Sequence, residues 1–116
     1  MSIYRQRDIF LVPFPFSDLS GKKVRPVLIV SNDTYNSKSA DVLVCGLTTN
    51  LKPTPYSIVI DITDVEEADT LRHKSKIKID TVASIEKSIL IKRIARLKLS
   101  MFKKIVAEIR KLIKPS

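Results

Sequence analysis

The chain has 116 residues, 44% of them hydrophobic, and a formal net charge of +9. That size suits a single domain, 1–116, with enough apolar material to fold without metal or disulfide staples, and its one cysteine, Cys45, cannot form an internal bridge. No apolar run approaches the ~18 residues of a membrane span and no charged-then-apolar leader opens the chain, so a soluble, cytoplasmic protein with no membrane partner is expected.

The first two-thirds read as strands. DIFLVPF (8–14) is apolar, and Pro13 and Pro15 keep its far end out of the middle of a sheet. FSDLSGKK (16–23) is a turn-rich loop. VRPVLIVS (24–31) holds Val27, Leu28, Ile29 and Val30 in succession, which suits a strand buried on both faces. Pro26 has no N–H, so this strand starts there or lies open on that side. NDTYNSKSA (32–40) is a polar connection, and DVLVCGLT (41–48) is a second buried strand. In the 49–55 loop, Pro53 and Pro55 forbid helix.

YSIVIDI (56–62) alternates as a strand, and TDVEEADTL (63–71) is acidic, a loop with one helical turn capped by Thr63 or Asp64. SKIKID (75–80) alternates, so Ile77 and Ile79 are expected inward, with Lys76 and Lys78 toward water or a ligand. VASIEKSIL (82–90) is short and fits neither period well, and IKRIARLKL (91–99) reads as a further strand, with a helix as the weaker alternative. Ser100 is placed to cap a last helix, in which Met101, Phe102, Ile105, Val106, Ile109, Leu112 and Ile113 recur at three- and four-residue spacing. The expected fold is therefore mainly β: about six short strands, closed or strongly curled, with one C-terminal amphipathic helix.

Charge is unevenly placed. Residues 1–70 hold seven Lys/Arg against nine Asp/Glu, whereas residues 71–116 hold fourteen against three. A one-sided excess of this kind fits a polyanionic partner better than it fits an ordinary solvated surface.

Several chemistries are missing. There is no phosphate-binding glycine loop and no Cys/His metal spacing, so no cofactor and no metal site is expected. His73, the sole histidine, sits among basic residues and reads as exposed. Asp64, Glu66, Glu67 and Asp69 read as a solvated acidic loop, and Cys45 reads as a core residue. What remains is Arg25 with Lys22 and Lys23, and the tract Thr48, Thr49, Asn50. If strands 24–31 and 41–48 are antiparallel neighbours, Arg25 and Thr48 share one sheet edge. A permanent cation with a forked donor set beside a hydroxyl suits a phosphate. At this point an ordinary surface ion pair fits Arg25 about as well, and plain β-propensity and loop capping fit Thr48 and Thr49 better.

The succession RDIFLVPF, KKVRPVLIVSND with Asn36 four residues beyond Asn32, VLVCGLTTN and the terminal amphipathic helix resembles the MazF/PemK toxin family. The resemblance covers about residues 5 to 113. It implies a small SH3-like barrel of the CcdB/PemK type and a toxin of a type II toxin–antitoxin pair. It further implies metal-independent cleavage of single-stranded mRNA by 2′-OH attack, a homodimer, and an acidic antitoxin protein as partner. The family's catalytic arginine and threonine fall on Arg25 and Thr48. Ser20, Lys22, Lys23, Thr49, Asn50, Lys76, Lys78 and Thr81 are the expected RNA contacts.

The sequence departs from the family in three places. Arg7 replaces the glycine of the usual Gly-Asp opening, and the loop at 19–23 and the position near Asp80-Thr81 lack the family's usual base-recognising residues. The alternatives are a non-enzymatic CcdB-like module that binds DNA gyrase, which would not need the Arg25–Thr48 pair, and an RNA-binding relative without activity.

Overall fold

A computed structural model describes residues 3–14, 23–67, 71 and 73–116. Seven strands form one antiparallel, curled sheet: β1 (Asp8–Phe14), β2 (Lys23–Ile29), β3 (Asp41–Thr48), β4 (Ser57–Ile60), β5 (Val65–Glu66), β6 (Ser75–Glu86) and β7 (Lys92–Leu97). Their order across the sheet is β4-β6-β3-β2-β1-β7-β5. Two helices complete the fold, α1 (Asp33–Lys38) and α2 (Leu99–Ile113). Among the described residues no helix is long and apolar enough to cross a membrane.

The sheet buries apolar side chains on both faces, which explains the unbroken apolar runs of β2 and β3. One face carries Ile9, Leu28, Cys45, Leu47, Ile77, Ile79 and Leu97 and is covered by Phe102 and Ile105 of α2. Burying those two helix side chains contributes roughly 1.5–3 kcal/mol each. The opposite face carries Phe10, Val12, Val27, Ile29, Val42, Val44 and Ile85 in a second cluster. Pro13 behaves as its chemistry requires, because the β1–β7 pairing ends at Leu11 and leaves the end of β1 paired only with β2.

Five features differ from the sequence reading. The stretch 32–40 is not wholly irregular: Asn32 caps α1 by accepting the Tyr35 N–H at 2.8 Å. The acidic segment does contain a helical turn, at Ile62–Asp64, but Asp61 caps it, and β5 follows and brings the strand count to seven. Ser100 does not cap α2; Lys98 occupies the N-cap position without a side-chain cap bond, and Ile113 is 73% exposed. β6 also runs on to Glu86, through most of the segment that fitted neither period.

β6 was hard to read because its register shifts. Gly46 pairs with Lys78 while Cys45 pairs with Val82, so residues 79–81 form a bulge of three extra residues. An odd insertion reverses which face a given parity serves. Ile77 and Ile79 therefore join the α2-facing core, whereas Ala83 and Ile85, of the same parity, pack on the other face.

The fifth difference concerns Lys76, which does not face water. It is 4% exposed, and its ammonium donates to the Lys52 carbonyl at 2.7 Å and to Thr54 Oγ1 at 3.0 Å. Its neighbour in the alternation, Lys78, is exposed as expected.

Buried polar groups pin the register of the central strands. Asn36 is fully buried; its amide N–H donates to the Ser31 carbonyl at 3.0 Å, and the Ser31 hydroxyl donates to Asn36 Oδ1. The same Ser31 oxygen accepts the Leu43 N–H at 3.0 Å, and Lys87 Nζ reaches the Asn36 carbonyl at 2.7 Å. The Ser31-Asn32-Asp33 tract with Asn36 is thus a structural clasp on the β2–β3 connection.

Arg7 adopts φ 81, a left-handed conformation that favours glycine. Its side chain offsets part of that cost by donating to the Leu97 carbonyl at 3.2 Å and lying 3.8 Å from Glu66.

Candidate functional site

β2 and β3 are antiparallel neighbours, with Ile29 opposite Val44, Leu28 opposite Cys45 and Val27 opposite Gly46. Continuing that register by two residues sets Arg25 against Thr48. The clasp around Asn36 holds the far end of the same pair of strands, so the register at the mouth follows from the polar connection behind it.

Pro26 opens the mouth. The Val30 N–H donates to the Leu43 carbonyl at 2.9 Å, so even-numbered residues of β2 aim their N–H groups at β3. Residue 26 continues that parity and would donate to the Leu47 carbonyl, but proline has nothing to donate. The ladder ends at Val27 and Gly46, and the strand ends part.

Two adjoining hollows lie at this opening. One, of about 280 Å³, is lined by Arg25, Pro26, Gly46, Leu47, Thr48, Lys78 and Thr81. The other, of about 460 Å³, is lined by Arg25, Pro26, Leu47 and Thr48 again, with Lys23, Val24 and Thr49. The β6 bulge brings Thr81 into the first hollow. Gly46 makes room there, since a Cβ on it would stand 3.4 Å from the Thr81 methyl. Arg25, Lys23 and Lys78 are exposed and Thr48 is half-buried, so three cations and three threonine hydroxyls line one solvent-open cleft.

Thr48 is oriented by the chain that follows it. Its Oγ1 accepts the Asn50 N–H at 3.1 Å, which leaves the hydroxyl hydrogen to be donated elsewhere. Asn50 Oδ1 in turn accepts the Lys52 N–H at 3.1 Å, so the Asn50 side chain is already engaged through its oxygen.

Of the residues expected at the site, the fold gathers Arg25, Thr48, Lys23, Thr49, Lys78 and Thr81 around the cleft and sets Asn50 beside it. Lys76 is corrected: its charge is spent on the 49–56 loop and is not presented to a ligand. Ser20 and Lys22 lie outside the described residues. Sequence reasoning missed Gly46 and Leu47; a glycine within an otherwise apolar strand was the available signal for a close approach.

The cysteine and the acidic segment are engaged away from the cleft. Burial, reinforced by Asp80, pushes the Cys45 thiol up to about 11, so it stays protonated and unreactive. Glu66 lies by Arg7 and Arg96, and Glu67 by Arg5 and Arg93. Thr63 holds the Asp61 carboxyl below its usual range by hydrogen bonding. Asp69 lies outside the described residues. Among the described residues no three His, Cys, Asp or Glu side chains could hold a metal ion together.

A family model described as "PemK-like, MazF-like toxin of type II toxin-antitoxin system" matches residues 5–113. Among solved structures, the chain is similar to a mycobacterial endoribonuclease in complex with its cognate antitoxin, at 21% identity and TM-score 0.75 over 97% of this chain and 98% of that one. It is similar to the Mycobacterium tuberculosis toxin MazF-mt6, at 20% identity and TM-score 0.74 over 95% and 99%. It is also similar to MazF of the Deinococcus radiodurans MazE–MazF complex, at 16% identity and TM-score 0.78 over 98% and 99%. No curated protein matches the sequence.

Proposed function

The chain belongs to the PemK-like, MazF-like toxin family of type II toxin–antitoxin systems, and on that premise we propose that its Arg25–Thr48 cleft is the active site of an endoribonuclease that cuts single-stranded mRNA. The observation that carries this reading is the juxtaposition of a guanidinium and an oriented hydroxyl at a strand mouth where the ladder opens. A gyrase-binding module would have no use for that pair.

The substrate supplies its own nucleophile. The 2′-hydroxyl oxygen bonds to the neighbouring phosphorus and its proton leaves with water; the P–O5′ bond breaks and the departing oxygen takes up a proton. The products are a 2′,3′-cyclic phosphate and a 5′-hydroxyl, and no metal is required. Negative charge builds on the non-bridging oxygens during the displacement. The Arg25 fork meets two of them at once, and the Thr48 hydroxyl donates to one. Both groups sit on strand ends, so little reorganisation accompanies the reaction.

Lys23 and Lys78 flank the cleft and contact the backbone phosphates on either side. Thr49, Thr81 and the free amide donors of Asn50 face the bases or sugars. RNA enters unpaired, because only then are base edges exposed and the 2′-hydroxyl free to align. The protein works as a homodimer in the cytoplasm. Its antitoxin presents an acidic segment to the same cations, ordering as it binds and excluding RNA.

The test is expression of the chain alone and with its neighbouring open reading frame, following growth and mapping the 5′ ends of cellular RNA. New 5′-hydroxyl ends and arrested growth should appear only without the partner. Equal growth and identical RNA ends in both cultures would remove the toxin reading.

A further inference from the structure

Lys76 poses a question that neither the fold nor the cleft answers by itself. It lies opposite Thr48 on β3 and opposite Val59 on β4, on a strand flanked by neighbours on both sides. A buried ammonium is costly unless hydrogen bonds compensate it. Both of its acceptors, the Lys52 carbonyl and Thr54 Oγ1, belong to the segment between β3 and β4.

That segment, 49–56, has no regular structure. Prolines at 53 and 55 remove two backbone donors, and Tyr56 takes φ 53. Its far end is also tied by the Ser57 hydroxyl, which donates to the Thr54 carbonyl at 2.7 Å, and by the Ile79 N–H, which donates to the Tyr56 carbonyl at 2.9 Å. At its near end a chain of bonds leads to the cleft. Lys76 Nζ holds the Lys52 carbonyl, the Lys52 N–H donates to Asn50 Oδ1 at 3.1 Å, and the Asn50 N–H donates to Thr48 Oγ1 at 3.1 Å. Two of these bonds are exposed and neutral, so each is individually weak. The charge-assisted bonds at Lys76 are the strong end of the chain.

We propose that Lys76 is a positioning residue: its buried ammonium anchors the 49–56 segment so that the Asn50 N–H fixes the Thr48 hydroxyl toward the bound phosphate. This rests on the reading of Thr48 as a phosphate donor. Lys76 itself touches no RNA.

In a Cys45→Ala background, the experiment compares the full chain with Lys76→Met and with Lys76→Cys that is alkylated by 2-bromoethylamine while unfolded and then refolded, which restores an ammonium of nearly the same reach. Amide exchange is read without RNA, and kcat and KM are read on an unstructured RNA. In Lys76→Met the Asn50 and Lys52 amides should exchange on the order of tenfold faster while those of Val44 and Ile77 hold, since only the segment loosens. The kcat should fall on the order of tenfold with KM changed less than about twofold, because the Thr48 contact that strengthens as charge builds on the phosphate is loosened while every cation that binds the RNA backbone stays in place. The alkylated variant should recover both. Should Lys76→Met fail to fold, Thr54→Val removes one acceptor from an exposed position and should move the same readouts in the same direction.

Unchanged exchange at Asn50 and Lys52 would overturn the proposal. So would an effect confined to KM with a shallower salt dependence, which marks a direct phosphate contact, or acceleration spread evenly over the core, which marks a general packing role. If the parent chain cuts no RNA, the nuclease reading falls while the exchange data still decide whether Lys76 anchors the segment. If the parent cuts and Lys76→Met matches it in kcat, only the positioning role is lost.

Discussion

Thr48→Val removes one hydroxyl and keeps the shape of the side chain. In the folded protein the loss is small. Thr48 is half-buried, and its oxygen accepts one N–H, that of Asn50, in an exposed bond that water can replace. The cost to stability is therefore about 0.5–1 kcal/mol, and a folded domain tolerates it. The loss in the transition state is larger, because the hydroxyl is then donating to a phosphoryl oxygen that is gaining charge. A hydrogen bond to a charged group contributes about 1.5–3 kcal/mol, which corresponds to a rate loss on the order of 10- to 100-fold. Thr48→Ser keeps the hydroxyl and should stay within a few-fold of the parent. The assay is initial-rate cleavage of an unstructured RNA, with a urea midpoint for each variant to confirm folding. A folded Thr48→Val protein that cuts at the parental rate would refute the assignment of a phosphate donor to this residue.

Arg25 is exposed, so Arg25→Ala should leave the urea midpoint in place and lower the cleavage rate by about a hundredfold or more, and Arg25→Lys should restore only part because it lacks the fork. Pro26→Ala supplies the N–H that the Leu47 carbonyl lacks, so it should extend the β2–β3 ladder, protect amide 26 from exchange and reduce activity by narrowing the cleft. Asn36→Ala leaves the Ser31 carbonyl and hydroxyl without their buried partner, and should destabilise the fold by about 2–4 kcal/mol in urea unfolding. Cys45 should resist alkylation until the protein unfolds. Its folded value of about 11 lies above the 9.0 of an unburied thiol, so the unfolded chain loses the thiol proton first. Stability from this group is full below pH 9.0 and falls as pH rises toward about 11, by roughly 3 kcal/mol in all. Cys45→Ala should flatten that slope in urea titrations between those pH values.

Much of the fold was legible because β1 and β3 obey local rules. Their apolar runs are bounded by turn residues, and the observed strands Asp8–Phe14 and Asp41–Thr48 coincide with the predicted ones. The clasp residues were visible as a motif, but the motif does not reveal that Asn36 is buried or that it begins in a helix. Nor does it reveal that Lys87, fifty-one positions away, reaches its carbonyl. β6 resisted reading because a three-residue bulge reverses its faces midway, and no single period describes it. The direction of Lys76 was misread for a related reason. Alternation places it on the face opposite Ile77, and nothing local says that the 49–56 segment folds over that face and buries it. The shared edge of Arg25 and Thr48, by contrast, needed only the assumption that two consecutive apolar strands pair antiparallel, while the role expected of them came from the resemblance to the family.

The cleft's chemistry is tested most directly by incubating the purified chain with a long unstructured RNA in excess EDTA and identifying the chemistry of the new ends. Cleavage in EDTA that leaves 5′-hydroxyl and 2′,3′-cyclic phosphate termini, and that is abolished in an Arg25→Ala, Thr48→Val double variant, is the predicted result. Intact RNA under those conditions, with cutting restored by Mg²⁺ or leaving 5′-phosphate ends, would contradict a cleft that works through the substrate's own 2′-hydroxyl.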